Sequence, residues 1–397
     1  MGAIAMSHAY ERTRWRMSVE ARALVLVTAG LLAFGLVVLY SSSAVLALGE
    51  GHSSAHYLVR QLMGVLAGCV VFAVAAKTDA EKWRTWAWPL MGLSVLLLIV
   101  LILPFTGAIA PRINGSRRWL TIGVTIQPAE LAKLAVVAWT AMLVVKKGDK
   151  MRRLTKGLLP FLVVVGVLDL LVILEPDLSM AMMFTVLMGI VLFAGGVRIG
   201  HFVVLGILAI PVLWREMERV QYALLRLTSF LDPGAAPAEA HYQLRQSLIA
   251  VGSGRLFGVG YGEGRQQTGF LPYPFNDFIA SNIGEEWGFM GLLVLVAGFT
   301  LYGVLGFRIA AMARTKFQQL LALGLTVTTV ITAYLHIGVV VGLLPTTGLT
   351  LPFFSYGRSN LILSLLITGI LVNIASRHER VVGASATDPV TLAHARA

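Results

Sequence analysis

Residues 277–304 read DFIASNIGEEWGFMGLLVLVAGFTLYGV: an acid, Asp277, opens a stretch that leads back into apolar sequence and runs to Val304. A helix crosses a bilayer with about 20 apolar residues, so this stretch is long enough to span. The segment before it, roughly Trp214 to Asn276, is the one long part of the chain without that character. A carboxylate placed where a polar loop re-enters a membrane is costly to keep there without a role. Asp277 is therefore the leading candidate for chemistry.

Similar apolar windows recur on both sides, at 23–47, 56–76, 85–105, 128–145, 157–174, 178–197, 199–214, 319–343 and 359–376. With 279–304 they predict an all-α polytopic membrane protein of about ten transmembrane helices, the seventh short. Composition agrees: 57% of the 397 residues are hydrophobic and 13% charged, against about 25% charged in soluble domains. The first window is too long for a signal-peptide core and is expected to remain as an anchor. Cys69 is the only cysteine, which excludes an intrachain disulfide and a cysteine-based zinc site.

Charge orients the bundle. Arg12, Arg14, Arg16 and Arg22 precede the first window, and Lys77, Lys82 and Arg84 follow the second. Lys146, Lys147, Lys150, Arg152, Arg153 and Lys156 follow the fourth, Arg308, Arg314 and Lys316 the eighth, Arg377 and Arg380 the tenth. All fall on one face if both termini are cytoplasmic, as the bias of basic residues toward that side requires. This accounts for the net charge of +12, and no basic domain suggests nucleic acid. The expected organisation is a cytoplasmic tail (1–22), a membrane core (23–376) with one large external loop (214–278) between helices seven and eight, and a disordered cytoplasmic tail (377–397). Within the loop, residues 214–231 alternate apolar and basic positions as an interfacial helix does, stopped by Asp232-Pro233-Gly234.

Four polar blocks gather on the outer face. The first runs from Asn114-Gly115-Ser116-Arg117-Arg118-Trp119 to Gln127–Lys133, where Glu130 and Lys133 sit one turn apart. Two readings stay open: they pair with each other, or the ammonium holds a phosphate. The second, Glu175-Pro176-Asp177, reads as a turn with Asp177 capping the next helix. The third runs from Tyr242 through the glycines of 252–264 to Asp277. No strand precedes those glycines and no Lys-Ser/Thr follows, so they are no nucleotide fingerprint; they let backbone approach a ligand closely. Asp277 suits a helix N-cap as well. The fourth, Leu344 to Gly357, carries irregular backbone that membrane depth tolerates only around protein or a wet cavity, so it is expected to line the cavity of Asp277. No metal-ligand or nucleophile cluster appears; a divalent ion would bind through carboxylates and a substrate diphosphate.

In this order the chain carries SRRWL (116–120), IQPAELAKL (126–134), LEPDL (174–178), YQLRQSLIAVGSG (242–254), DFIASNIGEEWGF (277–289) and LLPTTGLTLPFFSYG (343–357). Over residues 23–376 it resembles the SEDS proteins, the membrane peptidoglycan glycosyltransferases of bacterial shape, elongation and division. Gly348-Leu349-Thr350-Leu351-Pro352 and Ile283-Gly284-Glu285-Glu286 are similar to the division type. The chain departs from the pattern where Phe275-Asn276 replace a His-Thr pair, at Arg358 and Asn360, and where His336 stands for an asparagine.

The resemblance implies polymerisation of lipid II at the outer, periplasmic face of the inner membrane, for septal wall synthesis, beside a class B penicillin-binding transpeptidase and other division-complex membrane proteins. It maps the family's essential aspartate onto Asp277, which would take the proton of the attacking sugar hydroxyl. The polyprenyl diphosphate leaving group needs cations, for which Arg117, Arg118, Lys133 and Arg245 are candidates; Gln243, Gln246, Ser247 and Ser355 would hold sugar or peptide. No cofactor is otherwise required. The alternatives are a lipid II flippase, for which mid-membrane Asp169 is the best sequence sign, an elongation-type polymerase, and an inactive division scaffold.

Overall fold

A computed structural model describes residues 10–112, 116–152, 157–219, 230 and 238–383. Among them it forms twelve helices. Before the large loop come α1 (Val19–Gly49), α2 (His56–Lys77), α3 (Lys82–Ile102), α4 (Pro128–Lys147), α5 (Leu159–Leu174), α6 (Leu178–Ala194) and α7 (Ile199–Arg219). After it begins come α8 (Ala238–Ser253), α9 (Ile279–Glu286), α10 (Gly288–Ala311), α11 (Lys316–Val340) and α12 (Arg358–Ala375). Seven of these, α1–α4 and α10–α12, are long and apolar enough to cross a membrane; α5 and α6, at 16 and 17 residues, are shorter. The chain is a multi-pass membrane protein.

Each of the ten apolar windows holds a helix, but the eighth is broken. Its span starts at Gly288, because α9 stops at Trp287. A break inside a membrane protein must satisfy the backbone groups it frees, and the glycine-rich loop does so from both sides. Val259 and Gly260 donate N–H to the carbonyls of Glu285 and Glu286 at 2.9 and 3.2 Å, while Phe289 and Met290 donate to the carbonyls of Arg255 and Leu256 at 2.9 and 3.1 Å. Close approach explains the glycines: a Cβ on Gly254 would lie 1.8 Å from the Gly284 carbonyl oxygen, and one on Gly258 (φ +83°) 2.0 Å from that of Glu286. The glycines expected to approach a ligand thus approach protein backbone.

The fold is not purely helical. β1 (Tyr10–Arg16) pairs antiparallel with β4 (Arg377–Gly383), and β2 (Leu120–Ile122) with β3 (Val124–Ile126). Residues 377–383, expected as the start of a disordered tail, are ordered by that pairing, which sets residues 10–16 and 377–383 side by side. Residues 384–397, most of the proposed interfacial helix beyond Arg219, and the Asp232–Gly234 stop lie outside the described residues, as do Asn114 and Gly115.

α4 is the central helix, with 89% of its apolar window buried against 22% for α2. It packs on α3, α6 and α11, and carries the Glu130–Lys133 pair into the core. On α11, Thr326, Thr328 and Thr332 return their hydroxyls to carbonyls one turn back at 2.7–2.8 Å, which is how a membrane helix carries buried hydroxyls.

Candidate functional site

Asp277 sits half-buried in the last turn before α9. It is not the helix cap, since α9 is preceded by Phe278. The turn leading to it is held from three directions. Ser355 donates its hydroxyl to the Asn276 carbonyl at 2.7 Å, Tyr356 its N–H to the Phe275 carbonyl at 2.9 Å, and Asn282 its amide to the Pro274 carbonyl at 3.2 Å. Tyr273 (φ +47°) and Phe353 (φ +67°) take left-handed backbone in the two segments so joined, a conformation costing about 1–3 kcal/mol each and held only where the surroundings insist. Phe275 packs against Tyr57 and Tyr356, with ring centroids at 4.6 and 5.8 Å.

The same network gathers all four polar blocks. Ser179 donates to the Thr347 carbonyl at 2.7 Å, joining the second block to the fourth. Gln127 donates its N–H to the Ser359 hydroxyl at 3.0 Å, tying the start of α4 to the first turn of α12, just past the fourth block. Arg118 reaches across to the second block, donating to the Pro176 carbonyl and pairing with Asp177 at 3.3 Å. Ser247 fixes α8 to the end of α11 through the Val340 carbonyl at 2.9 Å.

The candidate residues divide on inspection. Lys133 pairs with Glu130 at 2.9 Å, both side chains 3% exposed, so the pairing reading holds for this conformation. Arg117 donates to the Leu103 carbonyl at 3.0 Å. Gln243 and Gln246 are half-buried on α8, and Arg245 is exposed there. Ser247 and Ser355 were expected to hold sugar or peptide, but both are buried and spend their hydroxyls on backbone. They build the site instead of facing it. Asp177 caps α6 as expected, accepting from Met180 N–H at 3.3 Å. Asp169 accepts from the Thr185 hydroxyl at 2.7 Å, a partner that explains its place in α5 without transport.

Gln61 was missed. Buried on α2, it donates its amide to the Ser355 carbonyl at 3.1 Å and accepts from Gly357 N–H at 3.2 Å. Its signal was a lone amide in an apolar helix, where a polar group marks a contact. His336 and Asn360, two of the unusual residues, brace the fourth block: His336 Nδ1 lies 2.8 Å from the Leu349 carbonyl, and Asn360 donates to that of Thr350 at 3.2 Å.

Glu285 and Glu286 on α9 serve the fold. Glu285 accepts from the N–H groups of Arg265 and Gln266 at 2.9 and 3.2 Å. Glu286 accepts from Ser41 at 2.5 Å and Gln267 at 2.9 Å. Burial pushes Glu175, in the turn between α5 and α6, up to about 9; neighbouring Asp177 adds to this and Arg118 opposes it. Among the described residues, no three His, Cys, Asp or Glu side chains gather as a metal site.

The model of the FtsW, RodA and SpoVE cell cycle proteins matches residues 22–380. The chain belongs to the FtsW/RodA/SpoVE family. Within it, the chain is 38% identical to the probable peptidoglycan glycosyltransferase FtsW of Trichlorobacter lovleyi over 92% of this chain and 95% of that one. It is 37% identical to the stage V sporulation protein E of Bacillus subtilis, over 90% and 97%. Among solved family structures, a chain from a study of how a peptidoglycan synthase complex coordinates polymerization and crosslinking matches with a TM-score of 0.72 at 26% identity, over 89% and 96%. RodA of Thermus thermophilus matches at 0.65, also 26% identical, over 89% and 95%.

Proposed function

We propose that this protein is a peptidoglycan glycosyltransferase that polymerises lipid II into glycan strands for septal wall synthesis, with Asp277 as general base. The observation that carries the reading is the chain of contacts that joins the four sequence-distant polar blocks and ends on the turn that presents Asp277, in a chain of this family. Asp277 takes the proton of the acceptor hydroxyl as it attacks the anomeric carbon, and the polyprenyl diphosphate leaves with inversion. Arg117, Arg118 and Arg245 carry guanidinium N–H groups beyond those spent on protein, suited to charge developing on the diphosphate. Lys133, buried and paired with Glu130, serves the core of α4 and is not among these cations. A substrate whose tail stays in lipid suits an enzyme that is itself a helix bundle.

The proposed topology has ten crossings, both termini cytoplasmic and the 214–278 loop periplasmic; the β1–β4 pairing of the two ends supports an even count. The proposed setting is the inner membrane at the division septum, beside a class B penicillin-binding transpeptidase. The FtsW relatives support the division role over elongation.

The test is purified protein with its cognate transpeptidase, given labelled lipid II. Glycan polymer is expected. Lipid II scrambling across liposomes without polymer would replace this reading with a transporter, and neither activity would leave a scaffold.

A further inference from the structure

α2 links two sites. Gln61, near its start, braces Ser355 and Gly357 in the fourth block; Lys77, its last residue, is 16 positions on, about 24 Å along the helix. At that far end lies a cavity of about 290 Å³, lined by Lys77, Asp79, Arg314, Gln318, Asn373 and Ser376. It opens between the ends of α2 and α12 and the connection from α10 to α11.

Part of the lining is committed to building the walls. Asn373 accepts from Ala80 N–H and donates to the Ala76 carbonyl, both at 2.9 Å. Ser376 donates its hydroxyl to the Val372 carbonyl at 2.6 Å. The cations are not so committed. Arg314 spends one N–H on the Ser376 carbonyl at 3.2 Å, and among the described residues neither it nor Lys77 makes an ion pair within 4 Å. Asp79 uses one carboxylate oxygen on Glu81 N–H at 3.0 Å. Two cations against one carboxylate leave the lining with one net positive charge.

A second feature ends at a residue of the cavity's lining, Lys77. Met63, Leu66, Val70 and Val74 are 51%, 69%, 64% and 60% exposed, and with Lys77 they follow three- and four-residue spacing down one face of α2. An apolar stripe of that kind faces acyl chains, and it ends at an ammonium.

We infer that this cavity binds the phosphate headgroup of an anionic phospholipid whose acyl chain lies along the α2 stripe. Basic pockets between helix ends are suited to such headgroups. Lys77 and Arg314 meet the phosphate, and the second oxygen of Asp79 accepts a headgroup hydroxyl, which favours phosphatidylglycerol. A free phosphate shares the charge but has no use for the stripe. In the orientation proposed above the lipid belongs to the inner leaflet; the cavity's chemistry is independent of that orientation and of the polymerase reading.

Native mass spectrometry of protein released from membranes containing phosphatidylglycerol, phosphatidylethanolamine and phosphatidylcholine tests this. The wild type should retain phosphatidylglycerol above the other two, undisturbed by inorganic phosphate. Each cation at an anionic headgroup is worth about fivefold, so Lys77→Ala with Arg314→Ala should lose retention about 25-fold. Lys77→Arg should keep it, and Arg84→Ala, an exposed cation outside the cavity, should leave it unchanged. If the double variant does not fold, Lys77→Gln alone carries the test, with about a fivefold loss expected. Unchanged retention in the folded cavity variants, equal retention of all three lipids, or displacement by inorganic phosphate would overturn the proposal. Polymerisation of lipid II by the same preparations reports separately on the enzymatic reading.

Discussion

Ser355 donates its hydroxyl to the Asn276 carbonyl at 2.7 Å, one residue before Asp277. The same hydroxyl accepts from Leu351 N–H at 2.8 Å, so a single side chain locks the irregular 344–357 segment to the turn that presents the base. Ser355→Ala removes both bonds and leaves a buried carbonyl and N–H unpaired, at a cost of about 1–3 kcal/mol each. The expected outcome is a lower melting temperature together with a fall in kcat, read by thermal unfolding and polymerisation of labelled lipid II.

Gln61 acts one step further out, through the Ser355 carbonyl and Gly357 N–H. Gln61→Leu should let that turn shift, and displacement of about 1 Å at a catalytic group costs about 10²-fold in rate. The loss should fall on kcat with KM nearly unchanged, as initial-rate measurements over lipid II concentration would show. Gln61→Glu keeps an acceptor for Gly357 but no donor for Ser355 when ionised, and should recover only part of the activity.

Breaking the core pair on α4 should be costly for folding. Lys133→Met leaves the Glu130 carboxylate buried without its partner, a loss of about 3–5 kcal/mol for a buried pair. Glu130→Gln combined with Lys133→Met should melt closer to the wild type than Lys133→Met alone. Equal melting of both would show that the pair contributes nothing to the fold.

Much of this architecture was legible in the sequence because hydropathy alone locates apolar helices: all ten windows hold a helix, and seven of these are long and apolar enough to span. The α9–α10 break was not. Glu285 and Glu286 were visible inside an apolar window, but their partners at 259–267 lie about twenty residues away, and no local pattern announces that the glycine loop feeds hydrogen bonds to a helix end. The four blocks were identified on one face and the fourth was expected beside Asp277; the direction of individual side chains was not. Ser247 and Ser355 are hydroxyls in polar segments, and sequence cannot tell a hydroxyl that faces substrate from one that satisfies a carbonyl. Gln61 could have been found as the lone amide of an apolar helix.

The glycine loop gives a sharper test. Gly258→Ala would place a methyl group 2.0 Å from the Glu286 carbonyl oxygen, on backbone already at φ +83°. Relief requires parting the loop from the helix break, so the variant should be severely destabilised, with low membrane yield and early unfolding. Gly262→Ala has no such neighbour and should be penalised only for its own φ of +79°, by about 1–2 kcal/mol.

Glu175 makes stability depend on pH. Its carboxyl, held up to about 9 in the fold against an ordinary value of 4.5, binds a proton that the unfolded chain releases. The stabilisation is full below pH 4.5 and is lost as pH rises toward and through 9. Glu175→Gln should flatten this part of the profile, with the largest gain in melting temperature over the wild type near pH 9. A profile unchanged by the substitution would place the titration elsewhere.

The most direct measurement is the single-turnover rate of lipid II polymerisation by Asp277→Asn, made with its transpeptidase partner, alongside equilibrium binding of lipid II. General-base removal costs about 10²–10⁴-fold. The account predicts a loss of that size with substrate affinity, folding and partner binding preserved. A rate within a few-fold of the wild type would contradict it.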